Sequence, residues 1–161
     1  MFRALAINFL ALLLPVIFSC EKAPDATIPD SPREEQTDNV PMPEKIKITI
    51  SGKTLPVKIE DNKATKALVA ALREAPIIYE AEDYGGFEKV GAPGRSLPTS
   101  NSQITTQAGD VILYGGNQIV LFYGSNSWSY TRIGKIEYGT KEELESFLKA
   151  GQGKITVTLS L

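Results

Sequence analysis

The 161-residue chain has no histidine, a single cysteine, two methionines and a single tryptophan. Without imidazole there is no Ser-His-Asp or Cys-His nucleophile system, no histidine general base and no histidine-ligated metal site. One cysteine excludes a disulfide scaffold. Long apolar runs are scarce as well. Ala4–Phe18, broken by Asn8 and Pro15, would be about 22 Å long as a helix against the ~30 Å core of a bilayer, too short to span it. Neither sign of charge dominates, with 17 bases against 19 acids. A hydrophobic share of 42% is that of a globular protein, and the length admits one ordinary domain with appendages.

The short apolar run behind Arg3 reads as the core of a signal peptide over residues 1–19. It ends Ile17-Phe18-Ser19-Cys20, which resembles a bacterial lipobox, with the only cysteine where a thiol would carry diacylglycerol. The alternative is an ordinary cleavage site with an incidental Cys20. A lipid on Cys20 implies a bacterial envelope address, on the periplasmic or cell-surface side, with the membrane as one partner. Residues 21–44 hold seven acids, two bases and five prolines, and no apolar residue recurs at a regular period. Residues 20–44 are therefore expected to be an acidic, proline-rich, disordered tether. Residues 45–161 carry fourteen bases against twelve acids with no basic stripe, so no nucleic-acid partner is expected.

The remainder reads as mainly β. Ile46, Ile48 and Ile50 alternate with polar residues, and after Ser51-Gly52-Lys53 so do Leu55, Val57 and Ile59, which predicts a hairpin. Ile155, Val157, Leu159 and Leu161 alternate likewise, and this terminal strand is expected to close the sheet. Asn62 can cap a short helix reaching about Ala75, with Ala64, Ala67, Leu68, Ala71 and Leu72 on one face. Thr140-Lys141-Glu142-Glu143 is a capping box for a second, with Leu144, Phe147 and Leu148 as its apolar stripe and Gly151 ending it. Residues 83–109, with five glycines and two prolines, are expected to be a long connection of little regular structure. Val111–Tyr114, Ile119–Tyr123 and about Trp128–Glu137 then supply further strands.

Several motifs fail on inspection. Ser51-Gly52-Lys53-Thr54 looks like the tail of a phosphate loop, but the required upstream glycine is Lys47. The acids Glu80, Glu82, Asp83 and Glu88 match no calcium-loop spacing and read as a solvated cluster, so no metal or cofactor is expected.

Two stretches are more specific: Asp83-Tyr84-Gly85-Gly86-Phe87-Glu88-Lys89-Val90-Gly91, and Gly109 to Asn117 continuing through Leu121–Ile136. Together they resemble the bacterial cyclophilin-like domain family, which is distinct from the prolyl-isomerase cyclophilins. The resemblance covers residues 45–161 and implies a closed β-barrel with two helices. Prolyl isomerases line their proline pocket with an arginine and with Phe, Met, Gln, Trp and His. This chain has no histidine, and Met1 and Met42 lie outside the stretch read as folded. Isomerase activity is therefore disfavoured and no catalytic residue is expected.

The aromatic stretch suggests binding instead. Alternation puts Trp128, Tyr130 and Arg132 on one strand face, where rings around a guanidinium would form the wall of a ligand site. Tyr114, Tyr84 and Asn126, from the glycine-rich turns, complete the candidate set. The same pattern also fits rings in an ordinary core with Arg132 in an ion pair at its rim. The sequence thus points to an envelope-tethered module that binds a small molecule or peptide. The alternatives are a weak peptidyl-prolyl isomerase and a structural or assembly lipoprotein with envelope protein partners.

Overall fold

The computed structural model describes residues 41–161. The signal peptide, Cys20 and all but the last four tether residues lie outside them. β1 (Lys45–Ile50) and β2 (Lys53–Ile59) form the expected hairpin, in which Ile50 pairs with Lys53. The two-residue turn needs left-handed backbone at both positions, and Ser51 and Gly52 adopt it at φ 49° and 79°. Ile46, Ile48 and Ile50 are fully buried.

α1 (Lys63–Glu74) starts at Asn62, whose Oδ1 accepts from the Thr65 amide at 3.0 Å. The Asn62 side-chain amide also donates to the Arg132 carbonyl at 2.7 Å, fastening the cap to the barrel. The buried face is wider than alanine and leucine spacing indicates, since Thr65 and Val69 join it. In α2 (Lys141–Leu148) the Thr140 hydroxyl accepts from the Glu143 amide, as a capping box requires. The Glu143 carboxylate, however, reaches one residue further back and accepts from the Gly139 amide at 2.7 Å. The left-handed residue that ends this helix is Lys149, at φ 49°, rather than Gly151. Both apolar helix faces pack into the main core.

Residues 83–109 depart furthest from expectation. They contain the end of β3 (Ile77–Tyr84), all of β4 (Glu88–Gly91) and β5 (Ser102–Thr105). Then come β6 (Asp110–Tyr114), β7 (Gln118–Phe122), β8 (Ser127–Ile136) and β9 (Ile155–Ser160). All pairings are antiparallel, in the order β2-β1-β9-β3-β4-β7-β6-β8, and a β2–β8 pairing closes the eight strands into a barrel. β5 is a ninth strand, paired along the outer part of β8. At the closing seam Gly134 faces Ile59, and a Cβ there would collide with the Lys58 carbonyl oxygen, so glycine permits the close approach.

β9 closes the sheet as expected, by joining two strands that would otherwise be edges. It lies between β1 and β3, with Ile155, Val157 and Leu159 inward and Leu161 beyond the last pair, 39% exposed. Residues just ahead of β1 also touch the barrel. Met42 packs on the main core, and the Pro41 carbonyl accepts from Arg73 at 2.9 Å.

Candidate functional site

β6 and β7 are apolar on both faces, for two reasons. Val111, Leu113, Ile119 and Leu121 point into the barrel, as alternation requires. Ile112, Val120 and Phe122 point the other way and, with Tyr130, form a second buried cluster outside the barrel, packed against Phe87, Val90 and Ile104. Phe122 meets Tyr130 edge-on, with ring centroids 5.9 Å apart.

Over this cluster opens a cleft of about 430 Å³, within the range of small-molecule sites. Two Tyr-Gly-Gly turns build its walls. Gly85 and Gly86 are left-handed, which turns β3 into β4 and sets Tyr84 opposite Glu88. Gly115 and Gly116 do the same between β6 and β7, setting Tyr114 opposite Gln118. Tyr114 meets Tyr130 of β8 edge-on at 5.9 Å. Trp128 follows on the same β8 face and is 56% exposed. Asn126 is held by both side-chain atoms: its amide donates to the Tyr130 hydroxyl at 3.0 Å, and its carbonyl accepts from the Ser127 amide at 2.8 Å. The Tyr130 hydroxyl thus keeps its own proton to donate.

Glu88 is the charged group in this lining. Its residue is 6% exposed, and its buried Oε2 has no hydrogen-bond partner among the described residues. Burial pushes its carboxyl up to about 7. The Tyr130 phenol is also raised, first by burial and then by the Glu88 charge.

Asp83, one strand away, shows the contrast. Its carboxylate meets Lys89 at 2.8 Å and accepts from the Gly151 and Gly153 amides and the Tyr123 hydroxyl. Burial acts to raise its pKa, but these partners outweigh burial and hold it below the usual carboxylate range. Lys89 is fully buried and also donates to the Gly153 carbonyl. Glu80 and Glu82 both pair with Lys154. The four acids are therefore not one cluster. Three are neutralised by lysine, and Glu88 faces the rings. Among the described residues no group of histidine, cysteine and carboxylate side chains is placed to hold a metal ion.

Of the residues singled out in the sequence, Trp128, Tyr130, Tyr114, Tyr84 and Asn126 come together around the cleft. Arg132 does not line it. It shares the β8 face but sits beside Ile112, further along the strand, where its Nη2 meets Asp110 Oδ2 at 3.2 Å and its Nε approaches Glu60 at 3.9 Å. Asp110 is 2% exposed as a side chain, so the guanidinium serves as its counter-ion. β8 carries an extra residue at Ile133, skipped in the pairing between Val111–Gly134 and Ile112–Arg132. Alternation gave the right face for Arg132 and no measure of how far along it lies.

Glu88, Val90, Gln118 and Val120 complete the lining; the last three carried no signal of their own in the sequence, and Glu88 read there as one of a group of solvated acids. The one clue to Glu88 is its position opposite Tyr84 across a Gly-Gly turn, where a hairpin places the two side by side.

A family model described as the Cyclophilin-like family matches residues 48–160. Among curated proteins none matches. A solved structure similar to this chain is the solution structure of a hypothetical protein from Archaeoglobus fulgidus. It is 18% identical, with a TM-score of 0.54, covering 73% of this chain and 93% of that one. That likeness concerns the fold alone.

Proposed function

The chain belongs to the cyclophilin-like family, and on that scaffold, which fixes a barrel and no chemistry, we propose a binding module that holds a small molecule in the outer cleft and is tethered to a bacterial envelope by a lipid on Cys20. The observation that carries the reading is the cleft itself: four aromatic residues around a buried carboxylate oxygen that has no partner among the described residues. Leaving a buried acceptor unpaired costs about 1–3 kcal/mol or more, a cost that a ligand donor would remove. The lining offers no nucleophile and no second acid or base beside Glu88 other than phenols, which supports binding over catalysis. It also offers no guanidinium, because Arg132 is engaged by Asp110, and this weighs against the isomerase alternative.

Trp128 is the only tryptophan and stands in the cleft wall, so its emission reports occupancy. A fragment library screened against the full chain should give compounds that shift this emission and whose effect is lost in Tyr114→Ala. If no compound does so, or if every hit acts equally on Tyr114→Ala, the cleft is not the binding site.

A further inference from the structure

Resting on that reading of the cleft, we infer that its ligand is a small organic cation: an alkylammonium or quaternary ammonium group set among the rings of Tyr84, Tyr114, Trp128 and Tyr130 with the Glu88 carboxylate as counter-ion. Four features of the cleft support this chemistry. The aromatic faces are electron-rich and attract a cation placed over them, more strongly when water is excluded. The ionisable side chains of the lining are one carboxyl and three phenols, with no lysine or arginine among them. An anionic ligand would therefore meet Glu88 with nothing to offset the repulsion.

The carboxylate is also poised for such a ligand. Its Oε2 is buried without a donor, and the nearest lysine in sequence, Lys89, points away to Asp83 on the other strand face. The neutral donors of the lining leave Oε2 unpaired: the Asn126 amide donates to Tyr130, and no described residue donates to Oε2. A cation therefore supplies what the site lacks, and the rings fit a bulky, weakly hydrated one. The arrangement has the opposite sign to the guanidinium-anchored site expected from sequence, and it selects the opposite ligand charge.

Three compounds of one shape separate charge from fit: choline, its uncharged carbon isostere 3,3-dimethylbutan-1-ol, and the anion 3,3-dimethylbutanoate. Each is titrated into the full chain at pH 8 while Trp128 emission is followed, with n-butylamine as a second, slimmer cation. At least one cation should bind tenfold or more tightly than the alcohol, and the butanoate should bind more weakly still. Glu88→Gln should reduce cation affinity at least tenfold and leave the alcohol unchanged, with its melting temperature confirming the fold. If the alcohol binds as well as both cations in the wild type, or if neither cation binds, the inference is overturned whatever the variant does. The cleft reading then survives on any uncharged hit that is sensitive to Tyr114→Ala, and falls with this inference only if no such hit exists.

Discussion

Arg132→Ala should weaken the fold and spare the cleft, the reverse of what an anchoring guanidinium would show. Asp110 is almost completely buried, at 2% side-chain exposure, and its Oδ2 holds Arg132 at 3.2 Å. Removing one partner of a buried pair costs roughly 3–5 kcal/mol when the survivor has nothing else. Asp110 does retain something. Its Oδ2 accepts from the Gln107 amide at 2.9 Å, and Lys135 stands 3.9 Å from Oδ1. The guanidinium is also about a third exposed, which weakens the pair through solvent. A loss of about 2 kcal/mol follows. For a domain of this size that is a drop in Tm of roughly 8 °C. Arg132→Lys keeps the charge and loses the planar fork, so about half that loss is expected. Asp110→Asn keeps the acceptor for Gln107, and a double-mutant cycle with Arg132→Ala should return a coupling of about 1–2 kcal/mol. Differential scanning calorimetry supplies the stabilities, and Trp128 emission with any cleft ligand supplies the affinities. An unchanged Tm combined with lost binding would refute the assignment of Arg132 to the frame and return it to the site.

Three further outcomes are expected. Glu88 keeps its proton in the folded state to about pH 7 while the unfolded chain loses it near 4.5, so native stability falls as pH rises through that window and levels above it. Glu88→Gln should therefore gain on the wild type by up to about 3 kcal/mol between pH 4.5 and 7.5, and parallel melting-temperature profiles would contradict the raised carboxyl. Truncation before Ile155 removes Ile155, Val157 and Leu159 and leaves β1 and β3 each with one open edge, so cooperative melting should vanish; a sharp transition near the wild-type temperature would show that β9 is dispensable. Metabolic palmitate labelling should mark the wild type and not Cys20→Ala, and equal labelling would exclude the lipid anchor.

What was legible in the sequence follows how strongly each segment commits to a single period. β1, β2 and β9 alternate isoleucine, valine and leucine with threonine and lysine, so strand, face and partner type could all be read. Asn62 and Thr140 are caps whose side chains do what their chemistry suggests. β4 and β5 were hidden because they are four residues each and carry the wrong composition. β4 buries Glu88 and Lys89 side by side on opposite faces, while β5 has Ile104 as its only large apolar residue. Tertiary pairing with β7 and β8 decides those segments, and local pattern carries no trace of it. The same holds for the cleft. Its rings are visible because aromatic residues stand out beside glycine turns. Its acid is not, because a glutamate near a glycine-rich loop reads as solvated until β7 is laid against it. Arg132 was drawn toward the rings by its strand face, and only the packing of Asp110 shows where the charge is used.

Chemical-shift mapping tests the central claim, that the outer ring-lined cleft is where this barrel meets its ligand. The full chain, labelled with nitrogen-15, would be titrated with the tightest compound from the emission screen. Perturbed amides should gather at Tyr84, Glu88, Tyr114, Gln118, Asn126, Trp128 and Tyr130, with the interior strand pairs of β1 and β9 unmoved. A second hollow of about 500 Å³, lined by Lys53, Thr54, Leu55, Glu143, Ser146 and Phe147, gives the contrary result a definite place. Shifts clustered there, with the cleft amides still, would contradict the account.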